Sequence, residues 1–194
     1  MPADDFVKPA HSGVRLTYDD FVHFPDDGQR HELIDGEHYV TPSPVMRHQV
    51  LVGALFLKIA NHLEHHPIGR VLLSPFDVVL SNFDVVEPDL LYVSNDRAGT
   101  LAGGINVQGA PDLVIEVAAE STRKRDETII RRLYERANVT EYWIVDPEID
   151  VVRVCRRAGE GFARPVELSR EAGDVLTTPL VPGLELPLAQ VFRE

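Results

Sequence analysis

Apolar residues along the chain follow two periods, and each period predicts a different kind of element. From position 43 to about position 66 they recur every three or four residues, which is typical of one face of a long α-helix. A second helical period covers positions 126–137. Ahead of both, Thr17 is placed to cap a short N-terminal helix. Shorter apolar runs rich in β-branched residues lie between these stretches, and they predict strands.

The predicted strands form an ordered series. Positions 31–34 and 38–40 flank Asp35-Gly36, a dipeptide that favours a two-residue hairpin turn. Further strands are predicted at 70–73, 76–80, 89–93, 112–117, 141–145, 151–156 and 162–168, and we expect the first three of these to pair consecutively as antiparallel strands. The helix at 126–137 separates two strands, which favours a parallel crossover between them. The sequence therefore predicts an α/β fold, a mixed sheet flanked by helices.

Composition sets the limits of this picture. The chain has 194 residues, is 44% apolar and lacks an internal linker or repeat, so we predict a single domain over 1–194. The N-terminal helix and hairpin and the C-terminal hairpin and Pro-rich tail are read as additions to it. No apolar run is long enough to span a bilayer, and residues 1–5 lack the features of a signal peptide. We therefore expect a soluble, cytoplasmic protein with no membrane partner.

The formal net charge of −12 argues against broad affinity for nucleic acid, because that affinity comes from Lys and Arg side chains that replace phosphate counterions. The charge does not exclude a nuclease, since basic residues crowd positions 123–136. Such a cluster also occurs on an ordinary solvated helix face. The lone cysteine, Cys155, lies in a strand pattern and is interpreted as a structural thiol.

Two of the predicted strands carry an acidic residue into an apolar run. Asp89 begins one, and Glu116 lies near the end of the other, which we expect to be covered on both faces. A carboxylate withdrawn from water costs several kcal/mol unless it has a partner. A divalent metal can satisfy two carboxylates together, so this pair predicts a metal site and, with it, phosphoryl chemistry.

At this point the residues resemble a known family. The motifs that carry the resemblance are Glu32-Leu33-Ile34-Asp35-Gly36-Glu37, Ser43-Pro44 with His48, Glu87-Pro88-Asp89-Leu90, Pro111-Asp112-Leu113-Val114-Ile115-Glu116-Val117 and Glu141-Tyr142-Trp143-Ile144-Val145-Asp146-Pro147. They are similar to the Uma family of restriction-endonuclease-like proteins, within the PD-(D/E)XK nuclease superfamily, and they span nearly the whole chain.

The resemblance implies a restriction-endonuclease-like sheet and a Mg²⁺- or Mn²⁺-dependent DNA endonuclease. Asp89 and Glu116 would be the metal-binding carboxylates, with Glu32 as a third. DNA would be the partner, and a homodimer is a further expectation because nucleases of this fold often act in pairs. Oxygen ligands suit Mg²⁺, and the metal would activate water for direct attack on the phosphodiester.

The chain departs from this pattern at the lysine that assists the reaction. The family places that lysine on the following helix, four residues after an Asp and four before a Tyr. The flanking residues here are Asp126 and Tyr134, and Ile130 stands between them. Spacing of four puts all three on one helical stripe, but an isoleucine cannot donate to phosphate. Lys124, at the start of the helix, is the candidate to take over the role, so we include it among the catalytic residues.

Several residues also have purely structural interpretations. Glu116 would instead pair with an arginine such as Arg131, and Glu32 would be an exposed hairpin residue. Asp112, which follows a proline, is read as a turn or cap residue. His48 either lines the cleft or bonds to neighbouring backbone, whereas His62 and His66 share a helix face at an exposed helix end without a further ligand set.

Two rival functions remain beside the endonuclease. One is a catalytically silent scaffold that binds a nucleic acid or a protein partner, which is motivated by Ile130 and the strong negative charge. The other is a metal-dependent hydrolase of a small phosphorylated substrate, which suits the acidity but has no motif behind it.

Overall fold

A computed structural model of the chain describes residues 14–41, 43–101, 103–119 and 123–193. The α-helices are α1 (Tyr18–Phe21), α2 (Met46–His65), α3 (Arg123–Arg125), α4 (Arg131–Arg136) and α5 (Leu188–Val191). A π-helical turn (Asp126–Ile130) joins α3 to α4, and a 3-10 helix covers Asn95–Leu101. Among the described residues, no helix combines the length and the apolar character needed to cross a membrane. The signal-peptide prediction rests on residues 1–5, which lie outside the described residues.

The strands form two main sheets and one small one. They are β1 (Arg30–Ile34), β2 (Glu37–Thr41), β3 (Gly69–Leu73), β4 (Val78–Ser81), β5 (Asp84–Val86), β6 (Leu90–Ser94), β7 (Val107–Gln108), β8 (Leu113–Val117), β9 (Glu141–Asp146), β10 (Val151–Ala158), β11 (Gly161–Phe162), β12 (Val166–Ser169), β13 (Val175–Leu176) and β14 (Leu186–Pro187). The central sheet has the order β11-β10-β9-β8-β6-β3, with β12 also paired to β10. A second sheet, here the hairpin sheet, has the order β2-β1-β5-β4-β7, and β13 pairs with β14.

The central sheet confirms the predicted mixed architecture. Strands β8 and β9 pair in parallel across the crossover, and the other pairs in this sheet are antiparallel. Helix α2 packs on one face, where Leu55 and Ile59 share a core with Trp143. The segment 123–136 covers the other face through Leu133 and Tyr134. Strand β8 is therefore buried on both sides, which explains its nearly continuous apolar run.

The first hairpin follows the sequence prediction closely. Strands β1 and β2 pair from Arg30 opposite Thr41 to Ile34 opposite Glu37. The two turn residues, Asp35 and Gly36, have φ values of 54° and 76°. Positive φ at both positions is what a tight hairpin turn needs, and Asp and Gly adopt it at low cost.

The prediction of consecutive antiparallel pairs between positions 70 and 93 is wrong. Strand β3 pairs with β6 in the central sheet, whereas β4 pairs with β5 in the hairpin sheet. The turn at Ser74-Pro75 thus carries the chain from one sheet to the other. Strand β5 was not predicted, because its three residues are too few to show a period. Local patterns do not encode which distant strand a short strand will join.

Candidate functional site

Asp89 and Glu116 lie opposite each other at one end of the central sheet. Strands β6 and β8 are antiparallel with Leu90 opposite Ile115, so the preceding and following positions, 89 and 116, are neighbours. The Asp89 backbone N–H donates to Glu116 Oε2 at 3.3 Å, and the Val117 N–H donates to Asp89 Oδ2 at 2.8 Å. Both side chains are buried, with exposures of 2% and 4%. The structure brings together the two carboxylates that the sequence singled out.

Asp89 is held by cationic and polar partners. Arg30 Nη2 donates to its Oδ1 at 2.7 Å, and His48 Nε2 lies 2.9 Å from its Oδ2. Burial acts to raise the pKa of Asp89, but the His48 hydrogen bond and the Arg30 charge outweigh it and hold that pKa below its ordinary value. His48 thus lies in the site rather than on neighbouring backbone, one of the two positions that its sequence context allowed.

Glu116 has a different environment, although it is only one strand away. The Tyr134 hydroxyl donates to Glu116 Oε1 at 3.0 Å. Burial, and then the nearby negative charge of Asp89, raise the pKa of Glu116 well above its ordinary value. The alternative ion pair with Arg131 does not form, since Arg131 lies beside Cys155 and Glu116 takes its partners from Tyr134 and Asp89.

Glu32 is fully buried in β1 and is not an exposed hairpin residue. Arg125 Nη1 donates to its Oε2 at 2.8 Å, and the Glu87 backbone N–H donates to its Oε1 at 3.3 Å. Burial would lower the pKa of Arg125, but the charges of Glu32 and Asp126 raise it above its ordinary value. An arginine from the second helical segment therefore compensates the charge of Glu32.

The donor chemistry of Asp89 and Glu116 fits a hard divalent cation. Mg²⁺ commonly takes one or two protein carboxylates and keeps several water ligands. A cation held by these two side chains would offset both the burial and the repulsion from Asp89 that raise the pKa of Glu116. Within the described ranges, however, no group of three or more His, Cys, Asp or Glu side chains is arranged to hold a metal. Glu32 as a third ligand stays a prediction.

The lysine position of the family pattern lies inside the core. Ile130 is fully buried in the apolar cluster that contains Leu133 and Tyr142. Asp126 and Tyr134 are buried as well, so all three positions face inward, as their spacing predicts. The intervening turn is π-helical rather than α-helical, a local change that often marks functional sites.

Lys124 is placed away from this interior. Its side chain is exposed, and its carbonyl oxygen accepts a hydrogen bond from the Thr128 hydroxyl. The adjacent residue, Arg125, is the one that enters the site, where its side chain is only 6% exposed. The catalytic role predicted for Lys124 stays a prediction.

Other candidate residues have structural roles. Asp112 accepts the Ser94 N–H at 2.7 Å and pairs with Arg97 at 3.1 Å, in line with a capping residue. His62 lies beside His66, and its Nε2 is 3.1 Å from the Pro182 carbonyl oxygen. Neither position extends the site around Asp89.

Comparisons with known proteins give a family and a fold for this chain. A family model described as "Uma2: Putative restriction endonuclease" matches residues 18–189. The chain belongs to the Uma2 family. No curated protein sequence matches it. The same fold occurs in the crystal structure of "a putative nuclease belonging to DUF820" from Anabaena variabilis, with a TM-score of 0.78, 19% identity, and coverage of 91% of this chain and 97% of that chain. This likeness confirms the restriction-endonuclease-like fold of the Uma2 chain.

Sequence reasoning missed two arginines that define the site in this Uma2 member. Arg30 was findable, because it lies two residues before Glu32 on the same strand, and side chains two apart point to the same face. Arg125 was noted only as part of a basic cluster. Its contact with Glu32 joins positions 93 residues apart, which no local pattern encodes.

Proposed function

We propose that this protein is a Mg²⁺- or Mn²⁺-dependent DNA endonuclease that hydrolyses phosphodiester bonds directly. The observation that supports the proposal is the facing pair Asp89 and Glu116 at neighbouring strand ends, within a family described as "Putative restriction endonuclease". The DNA substrate, the metal and a homodimeric state are all parts of the proposal. So is the cytoplasmic location.

The chain's own residues would divide the work as follows. Asp89 and Glu116 would hold the cation through oxygen ligands, with Glu32 assisting. His48 and the Val117 N–H fix the Asp89 carboxylate, and the Tyr134 hydroxyl fixes the Glu116 carboxylate. Rigid ligands matter because misplacement by about 1 Å can cost roughly a hundredfold in rate. When bound, the cation would supply Lewis-acid activation of water and neutralise charge on the phosphate.

The buried Ile130 weakens the proposed activity. Removing one preorganised donor that faces developing charge commonly costs about 10²–10³ in rate. We therefore expect slow cleavage by the natural chain, with a faster Ile130→Lys variant if the new ammonium group reaches the site.

The test is a cleavage assay on supercoiled, linear and branched DNA with Mg²⁺ and with Mn²⁺. It compares the natural chain and Ile130→Lys, each with and without Asp89→Asn. Asp112→Asn is the matched control, because Asp112 is also a buried aspartate that follows proline but contacts Ser94 and Arg97 instead. Ile130→Met controls for a longer side chain in the core.

Cleavage that is lost in Asp89→Asn and kept in Asp112→Asn would support the endonuclease. If only Ile130→Lys cuts, the natural chain has kept its metal site and lost its donor. If neither background cuts any substrate, the endonuclease proposal fails.

A silent scaffold is the second candidate function. Two observations favour it: Ile130 is packed into the apolar core, and Arg30 and Arg125 already compensate Asp89 and Glu32. A scaffold of this kind has no need of Mn²⁺, so Asp89→Asn would leave its partner binding unchanged. Metal binding therefore separates the two candidates before any substrate is known.

A further inference from the structure

The Arg30 guanidinium contacts Asp89, one of the two carboxylates proposed to bind the metal. Its Nη2 is 2.7 Å from Asp89 Oδ1, and its Nε is 3.4 Å from Glu87 Oε1. Burial would lower the pKa of Arg30, but the charges of Asp89, Glu116 and Glu32 raise it above its ordinary value. The guanidinium thus interacts electrostatically with all three carboxylates that the family resemblance assigns to the metal.

The two arginines of the site differ in how far they are exposed to solvent. The Arg125 side chain is 6% exposed, between Glu32 at 2.8 Å and Asp126 at 3.5 Å. The Arg30 side chain is 17% exposed and stands at the first position of β1, next to the exposed residues 25–29. Arg30 therefore lies nearer to solvent than Arg125, which makes it the arginine with the shorter route out of the carboxylate cluster.

Arg30 and a metal would compete for the same oxygen. A divalent cation on Asp89 would repel a guanidinium at hydrogen-bond distance from that carboxylate, because like charges at this range repel strongly in a poorly solvated site. A displaced guanidinium next to such a site is well suited to bind phosphate, since its planar fork donates to two oxygens at once.

We propose that Arg30 is the built-in counter-ion of the metal-free site and, once a metal takes Asp89, becomes the phosphate-contacting group that position 130 lacks. The inference rests on the proposed function, because it assumes that a metal binds at Asp89 and Glu116. Arg30 would thus have two opposed effects: it would weaken metal binding and strengthen nucleic-acid binding.

The test measures both effects on the full chain. Mn²⁺ affinity is measured by isothermal titration, and binding of a labelled DNA duplex is measured by fluorescence anisotropy in Ca²⁺, which separates binding from cleavage. Arg30→Gln should bind Mn²⁺ at least about tenfold more tightly, because a competing positive charge is gone. It should bind the duplex about tenfold more weakly in Ca²⁺. Arg170→Gln is the matched control, since Arg170 pairs with Asp150 at 3.0 Å on the surface.

A purely structural role for Arg30 predicts a different result, namely that Mn²⁺ and duplex binding weaken together. That result, or unchanged Mn²⁺ affinity in Arg30→Gln, would overturn the inference. Arg30→Lys decides the question if the glutamine variant does not fold. A lysine keeps the charge but cannot bridge Asp89 and Glu87 as a fork, so Mn²⁺ binding should tighten by a smaller factor.

Asp89→Asn separates this inference from the proposed function. If Asp89→Asn abolishes Mn²⁺ binding while Arg30→Gln leaves it unchanged, the metal site stands and only the role of Arg30 fails. If Mn²⁺ binding is the same in the natural chain and in Asp89→Asn, the metal lies elsewhere and the proposed function fails as well.

Discussion

Glu141 and Glu116 are both buried glutamates on adjacent strands of the central sheet, β9 and β8, yet they have different partners. Glu141 accepts from Trp143 Nε1 at 2.6 Å, from Arg156 Nε at 3.1 Å and from Thr178 Oγ1 at 3.1 Å. Glu116 accepts from the Tyr134 hydroxyl and, at 3.3 Å, from the Asp89 N–H. One carboxylate is bound by an arginine, and the other faces an aspartate.

This difference shows why burial alone does not locate a functional site. At Glu141 an arginine and several donors compensate the ionised form, so its burial needs no further partner. A carboxylate next to another carboxylate is poorly compensated, and such unfavourable arrangements concentrate at sites that bind something. The partners of Glu116, rather than its burial, make it the stronger candidate.

The largest effect is expected where a third buried glutamate loses its arginine. Arg125→Met leaves Glu32 buried without its cation and should lower the free energy of unfolding by about 3–5 kcal/mol. Chemical denaturation measures this. The double variant Arg125→Met with Glu32→Met should recover most of the loss, because an apolar pair of similar volume often replaces a buried ion pair without cost. Equal losses in the single and double variants would contradict this view.

The same substitution at the two glutamates of the comparison should have unequal effects. In Glu141→Gln the new amide group faces N–H and O–H donors on either side, so we expect a loss of about 2–3 kcal/mol in the free energy of unfolding. Glu116→Gln should stay within about 1 kcal/mol of the natural chain, since its environment disfavours the charge that the substitution removes. Similar losses at both positions, measured by urea denaturation, would remove the distinction between them.

A smaller effect is expected from the hydroxyl that holds Glu116. Tyr134→Phe should cost about 1 kcal/mol, because it removes a buried hydrogen bond of 3.0 Å to Glu116. Tyr142→Phe is the control, since its ring packs against Tyr134 but its hydroxyl makes a longer contact of 3.4 Å to the Asp126 carbonyl. Thermal unfolding of both variants compares them, and a control that costs as much as Tyr134→Phe would argue against a specific role for Tyr134.

The smallest effect concerns a histidine pair outside the site. Burial, and then the neighbouring charge of His31, hold the pKa of His38 below its ordinary value. A lowered pKa in the folded state means that the unfolded chain binds more protons, so this contribution to stability is complete above about pH 6.5 and declines as the pH falls through the folded-state pKa. In His38→Gln, the melting temperature should therefore change less between pH 5 and 7 than in the natural chain, by a few degrees at most. If the melting temperature of His38→Gln depends on pH as in the natural chain, His38 does not contribute to the pH dependence of stability.

The elements of the fold were largely predictable from the sequence. The hairpin at Asp35-Gly36, helix α2 and the parallel crossover from β8 to β9 all follow from periodicity and turn chemistry. The exchange of sheets after Leu73 was not predictable, because β4 and β5 are short and their partners are set by packing. Local patterns predict which elements form better than which distant partners they find.

For the candidate site, the sequence predicted the acidic residues but not their counter-ions. Asp89 and Glu116 were visible as charges inside apolar runs. The partners that hold the pKa of Asp89 below its ordinary value against burial, His48 and Arg30, come from α2 and from the first strand, at positions 41 and 59 residues away from Asp89. Which cation meets which carboxylate depends on tertiary structure and could not be deduced from spacing.

The contact between Arg125 and Glu32 also has a consequence for the order of folding. It joins the first strand of the hairpin sheet to the start of the second helical segment, across 93 residues. Contacts of such long sequence separation form late, since the intervening chain must first be ordered. The hairpin and α2 can therefore form early from local contacts, whereas the buried acidic centre is completed only when the chain beyond position 125 has docked.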